Sequence, residues 1–284
     1  MAWAALPEPL RHAIETRTGP VTAVRIATAG ENSPLAAIIT ASGGRFFAKG
    51  MPSDHRRASS QAREAAVAPL VRKISPALLW HFDEAGWNVL GYEYADGRHA
   101  DYSPGSPDLD RLTRLMSALG DIRVTVPGPF KRADERWKPY LDDPESALAF
   151  SGPVLTHSDW AADNVLISAH RAWLIDWAWP TLGAGWIDPA CWIIRLMASG
   201  GHTAANAERQ AARLPAYQAA DPACINLFAA ANVRLWAEVA ESGPTAWTTS
   251  MAKAAQSWSA YRQGRSRPGH RATSPDVPAQ GARS

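Results

Sequence analysis

The chain has 284 residues, 46% of them apolar and 20% charged, with a formal net charge of +2 at pH 7. That length suits one large domain or two lobes sharing a cleft, and the near-neutral charge argues against a partner that is nucleic acid or a membrane surface. Cys191 and Cys224 are too few for a disulfide framework, no apolar run approaches the ~20 residues of a membrane span, and prolines at 7 and 9 interrupt any signal-peptide core, so a cytoplasmic protein is expected.

Residues 21–29, 35–40 and 45–49 read as strands, separated by Gly30-Glu31-Asn32-Ser33-Pro34 and by Ser42-Gly43-Gly44. Together they predict an antiparallel meander. Residues 55–72 place Ala62, Ala66, Val67, Leu70 and Val71 at helical spacing. Strands over 78–82 and 87–92 flank Asp83-Glu84-Ala85-Gly86, a hairpin signal. The strand pattern ends at Glu93-Tyr94-Ala95-Asp96-Gly97. Leu109, Leu112, Leu115, Met116 and Leu119 then share a helical face, and 123–150 are irregular. Short strands return over 165–167 and 172–175. Helical patterns fill 189–199, 204–214, 222–241 and 244–261, and an Arg-, Ser- and Pro-rich tail over 263–284 is expected to be disordered. A β-rich first part and a mainly helical second part predict an α+β fold with two lobes, 1–93 and 94–262.

Four signals follow one another: the Gly30-Glu31-Asn32-Ser33 turn between two strands, Lys49 at a strand end with Glu64 on the next helix, His157-x-Asp159-x4-Asn164, and Ile175-Asp176-Trp177 at the end of a strand. Each alone has a bland explanation in a turn, a cap or a solvated charge. In this order they match what phosphoryl transfer from a nucleotide demands, which is charge neutralisation and an in-line nucleophile. Asn164 and Asp176 offer hard oxygens suited to Mg²⁺. Lys49, held by Glu64, would neutralise the inner phosphates. Asp159 would accept or orient the proton of an acceptor hydroxyl. The amides around Gly30, Asn32 and Ser33 would cover the phosphates.

These motifs resemble the aminoglycoside phosphotransferases, within the wider protein-kinase-like fold. The family's catalytic loop, His-Gly-Asp-x4-Asn, appears here as His157-Ser158-Asp159 through Asn164, with Ser158 in place of glycine. Its Ile-Asp-aromatic metal motif is Ile175-Asp176-Trp177. Its following Gly-Asp-Pro element is Gly185-Trp186-Ile187-Asp188-Pro189, with two residues inserted, and an acid often found beyond it is absent where Trp192 stands. The resemblance covers about residues 20 to 262. It implies ATP or GTP as donor, Mg²⁺ as cofactor, and a hinge over 93–97 in which Glu93 and Ala95 hold the base through their backbones. His157 reads as architectural, and Asp188 as a helix cap or a brace for the catalytic loop.

The acceptor is read only as a hydroxylated small molecule, an aminoglycoside or another antibiotic among the options. Acids gather after the hinge, at Asp96, Asp101, Asp108 and Asp110, where a cation or a neutral sugar would fit. A metabolic small-molecule kinase, a catalytically silent nucleotide binder and a metal-dependent hydrolase using His157, Asp159 and Asp176 remain the alternatives.

Overall fold

The computed structural model describes residues 3–27, 33–125 and 128–266. The chain opens on α1 (Glu8–Thr18), a helix absent from the sequence expectations. Leu10, Ala13 and Ile14 lie on its buried face, three and four residues apart. They pack against Leu35, Ile39 and Val89 of the sheet that follows.

That sheet contains β1 (Val21–Ile26), β2 (Leu35–Ala41), β3 (Gly44–Pro52), β4 (Leu78–Glu84) and β5 (Trp87–Glu93). All pairs are antiparallel, in the order β1-β2-β3-β5-β4, so the last hairpin folds back with β5 against β3. The β4–β5 turn is Ala85-Gly86, both at positive φ (54° and 72°), which matches the twist of the flanking strands. Gly91 is required where it stands. A Cβ there would lie 2.0 Å from the Trp80 ring, which lies across β5. The helix expected over 55–72 is shorter, α2 (Ala58–Val67), with Gln61, Glu64 and Val67 on its buried face.

The second part builds a separate core. Its strands are short: β6 (Arg98–His99), β7 (Lys131–Arg132), β8 (Val154–Thr156), β9 (Val165–Ile167), β10 (Ala172–Leu174) and β11 (Thr181–Gly183). β9 pairs with β10 and β6, while β11 pairs with β8 antiparallel and β7 parallel. The helices are α3 (Asp108–Gly120), α4 (Ala133–Trp137), α5 (Ile187–Gly200), α6 (Ala204–Ala211), α7 (Pro215–Gln218), α8 (Pro222–Ser242) and α9 (Ala246–Ser266). α9 continues past the expected end at 261, so positions 263–266 of the predicted tail are helical; 267–284 lie outside the described residues. Leu112, Trp160, Trp192, Phe228 and Trp258 are among the buried residues of this core, and Val67, Val71 and Ile74 enter it from α2 and the turns beyond. Among the described residues no helix is long and apolar enough to cross a membrane.

Candidate active site

Lys49 lies on β3, opposite Ala36 on β2 and Leu90 on β5. Its ammonium donates to Glu64 Oε2 at 2.9 Å and to Asp176 Oδ1 at 2.6 Å. The first contact joins the sheet to α2, as the 15-residue spacing predicts. The second joins the sheet to the loop after β10. Side chains of Lys49 and Glu64 are 12% and 5% exposed, whereas that of Asp176 is 37% exposed and opens to the cleft. Burial alone would depress the Lys49 pKa, but the charges of Glu64 and Asp176 outweigh it and raise it. Burial likewise opposes the Asp176 charge, and Lys49 overcomes it and holds the carboxyl below its ordinary range.

The catalytic-loop candidate leaves β8 at Thr156. Ser158 and Asp176 both adopt left-handed backbone, with φ of 62° and 64°. Asp188, in the first turn of α5, braces the loop by accepting the amide of His157 at 3.0 Å and that of Ser158 at 2.7 Å. Its side chain caps no helix end, so of its two sequence readings the brace is the one seen. Burial raises its pKa, and those two amides work in the opposite direction. Ser158 donates to or accepts from three groups: its Oγ lies 2.5 Å from Arg136 Nη1 and 3.3 Å from the Trp179 carbonyl, and its amide reaches Asp188.

His157 is held by backbone on both sides. The amide of Asp159 donates to Nδ1 at 3.3 Å, which leaves the proton on Nε2, 3.0 Å from the Ile175 carbonyl. The Trp177 ring meets the imidazole edge-on, with centroids 4.6 Å apart, and donates its own N–H to Ser75 at 2.8 Å. Trp160 and Trp177 are core residues. With both nitrogens engaged, His157 is neither base nor metal ligand in this arrangement.

Asn164 Nδ2 donates to the Asp159 carbonyl at 3.0 Å, and the Asn164 carbonyl accepts the amide of Ile175 at 2.9 Å. The loop and the Ile175-Asp176-Trp177 segment are thereby fastened across the mouth of the β9–β10 hairpin. Asn164 Oδ1 and Asp176 Oδ2 accept no hydrogen bond among the described residues. Two uncommitted hard oxygens fit Mg²⁺ that takes its other ligands from phosphate and water. Among the described residues no group of three or more His, Cys, Asp or Glu forms a cage of its own. Asp163 is exposed.

One contact was not foreseen. Arg195, on α5, ion-pairs with Asp159 through Nη2 and Oδ1. Its side chain is 8% exposed, with the guanidinium 5.2 Å from the Trp247 ring centre and 5.6 Å from that of Trp236. A signal was present in the sequence: Arg195 is the one charge between Pro189 and Gly200, and a buried charge in an apolar helix requires a partner.

The remaining candidates lie on or beside the first sheet. Glu93 ends β5 opposite Phe46, and its amide donates to the Ala77 carbonyl at 2.9 Å. The backbone of Ala95 makes no hydrogen bond among the described residues. The Ser33 hydroxyl is buried without a partner among them. Gly30 and Asn32 lie outside the described residues.

No family model and no curated protein matches the sequence. Among solved structures, the chain is similar to choline kinase LicA from Streptococcus pneumoniae at 12% identity and a TM-score of 0.61, covering 89% of this chain and 98% of that one. LicA is also solved in complex with AMP. An aminoglycoside phosphotransferase from Alicyclobacillus acidocaldarius matches at 10% identity and a TM-score of 0.60, over 93% of this chain and 98% of that one. The gentamicin complex of APH(2")-IIa matches at 14% identity and a TM-score of 0.56, over 91% of this chain and 99% of that one. The chain has the α+β fold of the kinase-like phosphotransferases, with a β-rich first lobe and a mainly helical second one.

Proposed function

We propose that the chain is a phosphotransferase that moves the γ-phosphate of ATP or GTP to a hydroxyl of a small molecule. The observation that carries this reading is the Lys49 bridge between Glu64 and Asp176, with Asp159 and Asn164 tied to the same loop. Lys49 is fixed as a cation where nucleotide phosphates would lie. The backbones of Glu93 and Ala95 would hold the base, and the turn containing Gly30, Asn32 and Ser33 would close over the phosphates. Bound Mg²⁺, held by Asn164 and Asp176, would neutralise charge on the phosphates.

Asp159 keeps Oδ2 free of protein partners among the described residues, because Arg195 engages Oδ1. That oxygen would take the proton of the acceptor hydroxyl as its oxygen attacks the γ-phosphorus. The bond from the γ-phosphorus to the bridging oxygen breaks, and the nucleoside diphosphate leaves. His157 and Asp188 hold the loop without touching substrate. The hydrolase alternative needs His157 as a ligand, and its nitrogens are already engaged.

A second reading rests on the same ion pair. Arg195 neutralises the candidate base, as it would in a silent nucleotide binder. The test is a transfer screen with ATP and GTP against aminoglycosides, macrolides, peptide antibiotics, nucleosides and sugars. Phosphorylated product that disappears in Asp159→Asn supports the enzyme. Tight nucleotide binding with no product from any acceptor supports the silent binder.

A further inference from the structure

Three cations from three different elements converge beside the catalytic loop. Arg63 of α2 donates from Nε to the Ala178 carbonyl at 3.4 Å. Lys131 of β7 lies with Nζ 4.4 Å from the Trp179 ring centre, and the Arg136 guanidinium of α4 is 5.6 Å from the same ring. Residues 178 and 179 directly follow the Asp176 motif, and Arg136 Nη1 reaches Ser158, the neighbour of Asp159. The Trp179 ring is half-exposed and forms a shelf under two of the charges.

None of the three has a carboxylate partner among the described residues, although each is partly buried. The acids near Arg136 are committed elsewhere: Asp159 to Arg195, and Asp188 to two backbone amides. Arg136 itself uses Nη1 on the hydroxyls of Ser158 and Thr181, and leaves Nε and Nη2 without hydrogen bonds among the described residues. The Lys131 pKa is lowered, first by burial and then by repulsion from Arg136 and Arg63. Unpaired, mutually repelling, half-buried cations are costly unless something negative joins them.

Of the four acids over 96–110 that would suit a cationic acceptor, two are neutralised: Asp108 is forked by Arg98 at 2.6 and 2.9 Å and Asp110 pairs with Arg213 at 2.6 Å, while Asp101 accepts from Ser103 and Asp96 from Tyr94. The charge left over beside Asp159 is positive.

We infer that Arg63, Lys131 and Arg136 form an anion subsite on the acceptor side, so that the hydroxylated substrate carries a carboxylate or phosphate group close to its reacting hydroxyl. This rests on the phosphotransferase reading above and narrows its substrate class. Arg136 supplies the free donors, Lys131 and Arg63 supply charge, and the Trp179 shelf flanks the carbon skeleton. The same chemistry would arise if the three cations instead gripped the phosphoryl group in transit.

The two sources separate in a titration of inorganic phosphate by calorimetry, into protein saturated either with ADP or with the non-hydrolysable triphosphate AMPPNP. With the triphosphate bound, the transferring position is filled. The expected result is that phosphate still binds the AMPPNP form, that Lys131→Gln and Arg63→Gln each weaken it about tenfold, and that ethanolamine at equal concentration does not bind. AMPPNP affinity should stay as in the unmodified chain. Phosphate binding that AMPPNP abolishes overturns the inference in favour of the phosphoryl position. So does ethanolamine binding as tight as phosphate, or phosphate binding that is absent or indifferent to both substitutions. If neither AMPPNP nor its guanine counterpart GMPPNP binds, the phosphotransferase reading falls. The nucleotide-free protein then decides the anion site alone, by whether its phosphate binding responds to Lys131→Gln.

Discussion

Arg195 extends from the middle of α5 to the carboxylate of Asp159 and takes one of its two oxygens. The candidate base is thus held in one orientation by a buried guanidinium, with its second oxygen free of protein partners among the described residues. The Trp236 and Trp247 rings and the Met251 sulfur hold Arg195 in turn, the sulfur at 3.7 Å from Nη1. On the phosphotransferase reading, the pair gives Arg195 a positioning role rather than a chemical one.

That role predicts a non-additive mutant cycle. Asp159→Asn should lower kcat by about 10²- to 10⁴-fold, the usual weight of a general base. Arg195→Gln should cost about tenfold in kcat with little change in nucleotide KM. The double variant should be no slower than Asp159→Asn alone, because orienting a base matters only while the base exists. Additive losses in steady-state kinetics would contradict the positioning role. Asp159→Ala is the poorer probe, since it strands Arg195 and should also destabilise by about 1–3 kcal/mol.

The Lys49 triad predicts how stability varies with pH. The folded pKa of Asp176 is depressed, so its contribution is present above the unfolded value, about 3.9, and is lost as pH falls through the folded value. The folded pKa of Lys49 is raised, so its contribution is full below the unfolded value, about 10.4, and fades as pH rises through the folded one. Lys49→Met should therefore flatten the acid limb of a Tm-against-pH curve below about pH 4. It should also cost about 3 kcal/mol near neutrality, because Glu64 is left buried without its cation. Thermal unfolding across pH reads both effects.

Ser158 offers a test of why glycine is the usual residue there in the family it resembles. At φ 62° a residue with a Cβ costs about 1 kcal/mol relative to glycine. The serine hydroxyl offsets that cost by accepting from Arg136 at 2.5 Å. Ser158→Gly should therefore leave the unfolding free energy within about 1 kcal/mol and keep Asp188 on the loop. Ser158→Val, β-branched and without the hydroxyl, should destabilise by about 2 kcal/mol or more. Chemical denaturation of the two variants distinguishes a strained loop from a merely polar one.

Much of this was legible in residue order because each piece is local or at a fixed spacing. Lys49 and Glu64 sit on adjacent elements, so their pairing follows from chain geometry. The strands over 35–41 and 87–93 declare themselves by apolar runs between turn residues. The two-residue strand β7 and three-residue strand β11 are too short to show any period, and so the placement of Lys131 and Arg136 beside Trp179 was invisible. α1 carries Leu10, Ala13 and Ile14 at helical spacing and Pro9 in its first turn, where proline fits, so this helix too is written in local sequence. The lone charge of Arg195 in an apolar helix signals that it needs a partner, but that the partner is Asp159 depends on α5 lying behind the loop, a long-range relation that no local pattern encodes.

Asp176→Asn is the most direct probe of the metal assignment. Asparagine tolerates left-handed backbone better than other non-glycine residues, so φ 64° at this position should survive the change. Lys49 retains Glu64 at 2.9 Å, so the triad is weakened and not dismantled. What is removed is one formal negative charge from a pair of oxygen donors that otherwise offers only the neutral amide of Asn164. Affinity for a hard divalent cation scales with ligand charge. The variant should need at least about tenfold more Mg²⁺ for half-maximal turnover, with nucleotide-free stability at neutral pH lowered by no more than the lost Lys49 contact. A Mg²⁺ titration of turnover, paired with thermal unfolding in chelator, separates the two effects. An unchanged Mg²⁺ requirement would remove Asp176 from the metal site and leave it as a partner of Lys49 alone.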